Sequence, residues 1–269
     1  MSVTIAETAW RFPNDATPLG SARYYALRFA PATRRDALAL LVLWHARLRA
    51  IPDAVSEARI GAAKLDWWRE EIERCASGAP THPLGAPLAA LIAEQALPLE
   101  PFIEVIAHQD ARLAAPCPPH FAALAAHAET DLGALFELLA RCEGERSPES
   151  LREARALGAY CRLIAGIRDG GWWWRRGQLD FISADLLPND LEQLPERLPT
   201  LLATTAARAE QLRTEAQRGT CHARSVRIRA RLARVLAAEL AASDYAVVDQ
   251  RIALPPLRKL WHAWREQRR

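Results

Sequence analysis

Gly166-Ile167-Arg168-Asp169-Gly170-Gly171-Trp172-Trp173-Trp174-Arg175-Arg176-Gly177-Gln178-Leu179-Asp180 is the stretch from which the rest of the chain can be read. It closes a run of good helix formers that reaches back to about residue 149, and the proline-rich segment 188–199 bars any long continuation. The glycines between Gly166 and Gly171 are no dinucleotide fingerprint, because no strand leads into them. Three consecutive tryptophans on a helix span about 200° of arc, so Trp172, Trp173 and Trp174 cannot share one face. They read as core filling at a helix end, as the lining or plug of an apolar cavity, or as an aromatic interaction surface.

Outward from that stretch the pattern is helical almost throughout. Ala, Leu, Arg and Glu dominate, and alternating β-branched runs are absent. Pro and Gly clusters punctuate the chain. The spacing predicts helices over about 20–50 with an interruption near Pro31, 56–76 with Ser56 as N-cap, 85–95, 100–114, 118–142 with a break, 149–174, 190–217, 222–252 with a bend, and 256–267. Pro52 is expected to end or distort the first helix. No linker divides the chain, so the expected organisation is an N-terminal extension over 1–19 and one all-α domain over 20–269.

At 269 residues, half hydrophobic and a quarter charged, the chain can bury a substantial core. No apolar run approaches the roughly 20 residues of a membrane-spanning helix, and no secretory signal opens the sequence. Cys75, Cys117, Cys142, Cys161 and Cys221 are odd in number and form no metal-type pair, which suits buried thiols in a reducing, cytoplasmic setting. A net charge of +3 does not indicate nucleic acid as a partner. The seven histidines form no helical zinc motif, and His45 reads as a buried neutral side chain.

Two segments resemble the squalene/phytoene synthase family. The first, from Phe29 and Pro31 through Arg34 to Asp53, resembles the family's apolar helix ending in a DDxxD motif. Carboxylates four apart share a helix face and together hold magnesium, a hard cation that bridges to diphosphate oxygens. The motif positions here are Arg49, Ala50 and Asp53, so a guanidinium stands where a cation would sit. Asp53 reads either as the residual carboxylate or as a plain helix-terminal Asp. The second segment, Tyr160 to Leu187, resembles the opposing metal helix in unbroken register. Asp169 is present, but the following acidic pair is Trp172-Trp173, before Arg175-Arg176-Gly177. The helix around Lys64 to Ile72 with His82-Pro83, and the segments Asp131 to Leu139 and Leu157 to Tyr160, are similar to further family segments. Val55-Ser56-Glu57 and Trp67-Trp68-Arg69-Glu70 look most like the branch that contains the mitochondrial complex I assembly factor.

The resemblance implies a single-domain, isoprenoid-synthase-like helical bundle around a central cavity. With both acidic motifs depleted, it implies a protein without prenyl transfer, holding no metal, that binds an isoprenoid or lipid ligand or assists assembly of a protein partner. The expected ligand-binding residues are Arg49, Arg168, Arg175, Arg176, Trp172 and Trp173, whose guanidinium groups suit phosphate oxygens. The alternative is an active transferase that condenses prenyl diphosphates with magnesium held elsewhere, for which Glu57, Asp66, Glu129 and Asp131 are the carboxylates on offer. Finally, Leu257, Leu260, Trp261 and Trp264 fall on one face of a basic terminal helix within 257–269. That face either docks on the core or rests peripherally on the inner membrane.

Overall fold

The computed structural model describes residues 9–114 and 117–268, and helix is the only regular structure among them. The elements are α1 (Ala22–Arg28), α2 (Arg35–Ala54), α3 (Ala58–Ala76), α4 (Gly85–Gln95), α5 (Glu100–Ala114), α6 (Phe121–Ala128), a π-helical turn (Glu129–Gly133), α7 (Ala134–Cys142), α8 (Pro148–Trp174), α9 (Leu194–Ala216), α10 (Arg224–Ala242) and α11 (Pro256–Gln267). The all-α bundle expected from the sequence is the fold observed.

Helix α8 is the axis. The Ser147 hydroxyl caps it by accepting the Ser150 N–H at 3.1 Å, and Pro148 and Glu149 suit its first turn. It packs against the π-turn, α6, α7, α9 and α10. One core cluster gathers α2, α5 and α7 around Trp44, Phe102 and Phe136. A second joins the end of α8 to α9 and the segment after α10, with Trp173, Phe181 and Leu202 inside it. Close approach depends on glycine at two places. A Cβ on Gly158 would lie 2.7 Å from the Gly133 Cα and nearer still to the Leu132 carbonyl, and one on Gly171 would meet the Val247 backbone.

Buried carboxylates tie loops to this frame. Glu153 accepts the N–H groups of Gly219, Thr220 and Cys221, and Glu143 those of Arg224 and Ser225 at the start of α10. Glu71 accepts the Thr81 and His82 N–H groups, fixing the His-Pro turn beside Trp68.

Three local expectations change. Helix α3 starts at Ala58 with Glu57, rather than Ser56, at its cap. The break in 118–142 is the π-turn, an extra-residue bulge that rotates one side chain inward. Helix α10 stops at Ala242 rather than bending on to 252, because Asp244 and Tyr245 take φ of 49° and 55° and the Tyr245 N–H returns to the Leu240 carbonyl at 2.9 Å. The chain thereafter folds back so that Val247 covers Gly171. Pro52 sits within the last turn of α2, which ends two residues later. No helix among the described residues is long and apolar enough to cross a membrane. All five cysteines are free, and burial lifts the thiols of Cys142, Cys161 and Cys221 to about 12.

Candidate functional site

Helical spacing places His45, Arg49 and Asp53 on one side of α2. Opposite them α5 contributes His108, Gln109 and Arg112, α8 contributes Arg162, and the loop beyond α8 contributes Asp180. The π-turn delivers Asp131 into their midst, with its side chain only 1% exposed. His45 Nε2 donates to Asp131 Oδ1 at 2.7 Å, and Arg162 Nε donates to Oδ2 at 3.0 Å. Arg49 Nε stands 3.8 Å from the same Oδ2. Arg162 also reaches Asp180 at 3.0 Å, and Arg112 binds Asp180 and Asp53, each at 3.1 Å. Three carboxylates and three guanidinium groups thus close one continuous network.

Burial alone would raise the Asp131 carboxyl, but the Arg49 charge and the His45 hydrogen bond hold it well below the usual carboxylate range. Asp180 is lowered against burial by Arg162 and Arg112. Burial pushes the His45 imidazole down despite Asp131, so His45 is neutral, in line with the sequence reading. His108 is pushed to about 3 by burial, which Asp131 only partly opposes. Neither of its ring nitrogens has a hydrogen-bond partner, Nε2 being 3.9 Å from Asp131.

His108 therefore gives the protein a pH-dependent stability of definite sign. Its folded-state pKa lies below the unfolded value near 6.5, so its contribution is intact above that pH and is lost progressively as pH falls toward 3. The expected loss is about 2 kcal/mol by pH 5, from about 1.4 kcal/mol per unit. Denaturant melts of His108→Phe between pH 7 and pH 5 should show a shallower decline than wild type. An unchanged slope would place the sensitivity elsewhere.

A second, more basic group adjoins the network. Asp169 accepts from Arg168 and Arg251, each through a bond of 2.9 Å. Arg23 from α1 and Arg229 from α10 belong to no ion pair among the described residues; Arg23 has only the Ala16 carbonyl at 3.4 Å, and Arg229 lies 5.8 Å from the Phe136 ring. Burial and the charges of Arg229, Arg49 and Arg168 bring the Arg23 guanidinium down to about 9, so it is still charged at neutral pH. Burial and Arg168 likewise lower Arg229. Arg49 and Arg168 keep 21% and 27% of their side chains accessible.

Of the residues predicted from sequence, Arg49 and Asp53 join the ion-pair network and Arg168 pairs with Asp169 beside it. Arg175 instead binds the Val248 carbonyl, and Arg176 lies over the Trp172 ring at 4.5 Å. Trp172 is 44% exposed, whereas Trp173 is packed in the second core cluster. Glu57 and Asp66 pair with their neighbours Arg59 and Arg69 on the surface of α3, far in role from Asp131. No group of three or more His, Cys, Asp or Glu side chains stands together as a metal site among the described residues. Sequence reading missed Arg23, Arg112, Arg162, Asp180 and Arg229. The one available signal was the i, i+4 series His45, Arg49, Asp53, which marks a polar stripe on an otherwise apolar helix.

A family model described as squalene/phytoene synthase matches residues 18–259. A phytoene synthase of Arthrospira platensis is 23% identical over 265 residues, spanning 88% of this chain and 85% of that protein. Among solved structures, a dehydrosqualene synthase in complex with ligand superposes with a TM-score of 0.75 at 16% identity, covering 92% of this chain and 90% of that one. The squalene synthase HpnC from Alicyclobacillus acidocaldarius gives 0.70 at 18% identity, covering 82% and 88%.

Proposed function

The chain belongs to the squalene/phytoene synthase family, and from that premise we propose that it binds an isoprenoid or lipid phosphate without metal and without performing prenyl transfer. The observation that carries this reading is the pairing of both residual motif carboxylates with arginine. Asp53 is held by Arg112, and Asp169 by Arg168 and Arg251. Arg49, at the head of the first motif, is drawn onto Asp131. A magnesium ion would have to displace these guanidinium groups from the carboxylates it needs.

The charge distribution supports an anionic ligand in the same place. Asp53, Asp131 and Asp180 balance Arg49, Arg112 and Arg162. Beside them Asp169 pairs with Arg168 and Arg251, while Arg23 and Arg229 feel the charge of Arg168 and belong to no ion pair among the described residues, so cations outnumber carboxylates in this second group. Guanidinium forks bind phosphate oxygens directly, and partly buried ones do so at lower local dielectric than in water. Excess positive charge that is costly in the free protein is relieved by a diphosphate or phosphate head group. These arginines thus have a binding task in which no bond is made or broken.

Calorimetric titration with a non-hydrolysable thio-analogue of farnesyl diphosphate tests this. Binding should be the same in magnesium and in a chelator, and Arg23→Gln with Arg229→Gln should weaken it at least about tenfold, the loss of two charge-assisted contacts. Binding that requires magnesium would overturn the reading in favour of an active transferase. No binding in either condition would leave a role in protein assembly.

A further inference from the structure

Helix α11 is attached to the body the wrong way round for an ordinary amphipathic helix. Leu257, Leu260, Trp261 and Trp264 recur at the spacing of one helical face, the face that normally turns to a core. Here those four side chains are 78%, 38%, 48% and 38% exposed. The side that touches the body is small and polar. Ala263 is fully buried, Glu266 binds Arg227 of α10 at 2.9 Å, and Arg258 pairs with Glu239 of the same helix. Helix α11 is therefore held by ion pairs and one alanine while its apolar stripe faces outward. Leu19, 76% exposed, lies next to it in the fold, since a Cβ placed on Gly20 would stand 3.7 Å from the Pro256 ring.

The stripe is rimmed by cations. Arg265 stands 4.6 Å from the centre of the Trp261 ring, and Arg268 stands 3.9 Å from that of Trp264. Beside α11 a groove of about 710 Å³ runs between α1, the segment after it and the start of α10. Arg28, Arg35 and Arg224 line it together with Tyr24 and Leu260, and no carboxylate does. Neither Arg28 nor Arg35 belongs to an ion pair among the described residues.

We propose that this face, the outer stripe of α11 with the Arg28–Arg35–Arg224 groove, docks on an anionic lipid bilayer. Indole rings at the level of the head groups, flanked by arginines that reach phosphate, form the arrangement by which a helix lies in a membrane interface. The groove accepts the head-group charge beside it, and basic residues near such a surface are attracted to it within a Debye length. A second copy of the chain fits less well. A two-fold contact through α11 would bring the same arginine rim against itself. The proposal for this surface does not depend on what the Arg49 and Arg168 group binds.

Flotation of the full chain with vesicles distinguishes the occupants. Wild type should float with phosphatidylcholine vesicles containing phosphatidylglycerol, stay behind with phosphatidylcholine alone, and detach as salt is raised. Trp261→Glu with Trp264→Glu should lower the bound fraction at least about tenfold, the effect of setting charge on an inserted apolar face. Arg28→Glu with Arg35→Glu should remove the preference for phosphatidylglycerol. Trp261, Trp264 and Arg28 are exposed and Arg35 is half-buried with a single bond to the Ala30 carbonyl, so thermal melts of both variants should stay close to wild type. The Arg23/Arg229 variant should float normally. The proposal fails if the tryptophan variant floats like wild type, or if wild type binds neither vesicle. A dimer in light scattering that this variant dissociates, without flotation, would assign the face to a second copy.

Discussion

Replacing Asp131 by asparagine is expected to lower the unfolding free energy by about 3–5 kcal/mol, the range for breaking a buried ion pair from one side. The carboxylate accepts from His45 and Arg162 and lies within 4 Å of Arg49 and His108. Asparagine keeps the size but turns an amide NH2 toward one of these donors and removes the charge that faces two guanidinium groups. Arg162 would retain Asp180, but Arg49 would have no carboxylate in its immediate ion-pair shell. In a chain of this length the loss corresponds to roughly 10 °C in melting temperature. A fall of only a degree or two would mean that the surroundings solvate Arg49 and Arg162 well enough to dispense with the carboxylate.

The same substitution carries a pH signature. Asp131 and Asp180 both have folded-state values below their unfolded ones, so their stabilisation is present above about pH 4 and is lost as pH falls through the folded values. Wild type should destabilise steeply in that acid range. Asp131→Asn, already lacking the larger of the two contributions, should show a flatter acid limb. Parallel curves would assign acid sensitivity to other carboxylates, such as Glu71, whose pKa is about 2 with backbone and Thr81 hydrogen bonds opposing its burial.

The helices were legible because local rules set them. Proline and glycine clusters bound α3, α4, α5 and α8 to within two or three residues of the expected limits, since helix propensity and termination act over a few positions. The network around Asp131 was not legible. Its partners His45 and Arg162 are 86 and 31 residues away, and the inward turn of Asp131 comes from a π-bulge that composition does not announce. Arg23 and Arg229 were likewise unremarkable arginines on amphipathic helices until α1 and α10 were brought together. The terminal stripe was visible as a pattern, but only packing decides which side of α11 faces the body. Trp172 and Trp173, adjacent in sequence, part company for a plain geometric reason: about 100° separates them on the helix, so one is core and the other surface.

Gly158→Ala is expected to cost about 3 kcal/mol, although alanine is the better helix former. Within α8 the exchange gains about 1 kcal/mol of helix propensity, and in open space it would stabilise. At Gly158 the added methyl meets the Leu132 carbonyl and the Gly133 Cα, which are main-chain atoms of the π-turn and have no rotamer through which to yield. Relief requires α8 and the π-turn to separate, and the π-turn is what sets Asp131 against Arg162. Gly170→Ala in the same helix supplies the contrast. Its methyl would press only on the edge of the Phe181 ring at 3.0 Å, with Leu202 at an ordinary 3.6 Å, and a ring can shift by a few tenths of an ångström. Gly170→Ala should therefore melt within about 2 °C of wild type, while Gly158→Ala falls by roughly 6–12 °C. The acid limb of Gly158→Ala should also flatten toward that of Asp131→Asn, because moving the turn loosens the contacts that depress the Asp131 pKa. Equal melting of the two glycine variants would show that the α8–π-turn contact yields easily, and that the position of Asp131 is set by its ion pairs rather than by the backbone beneath it.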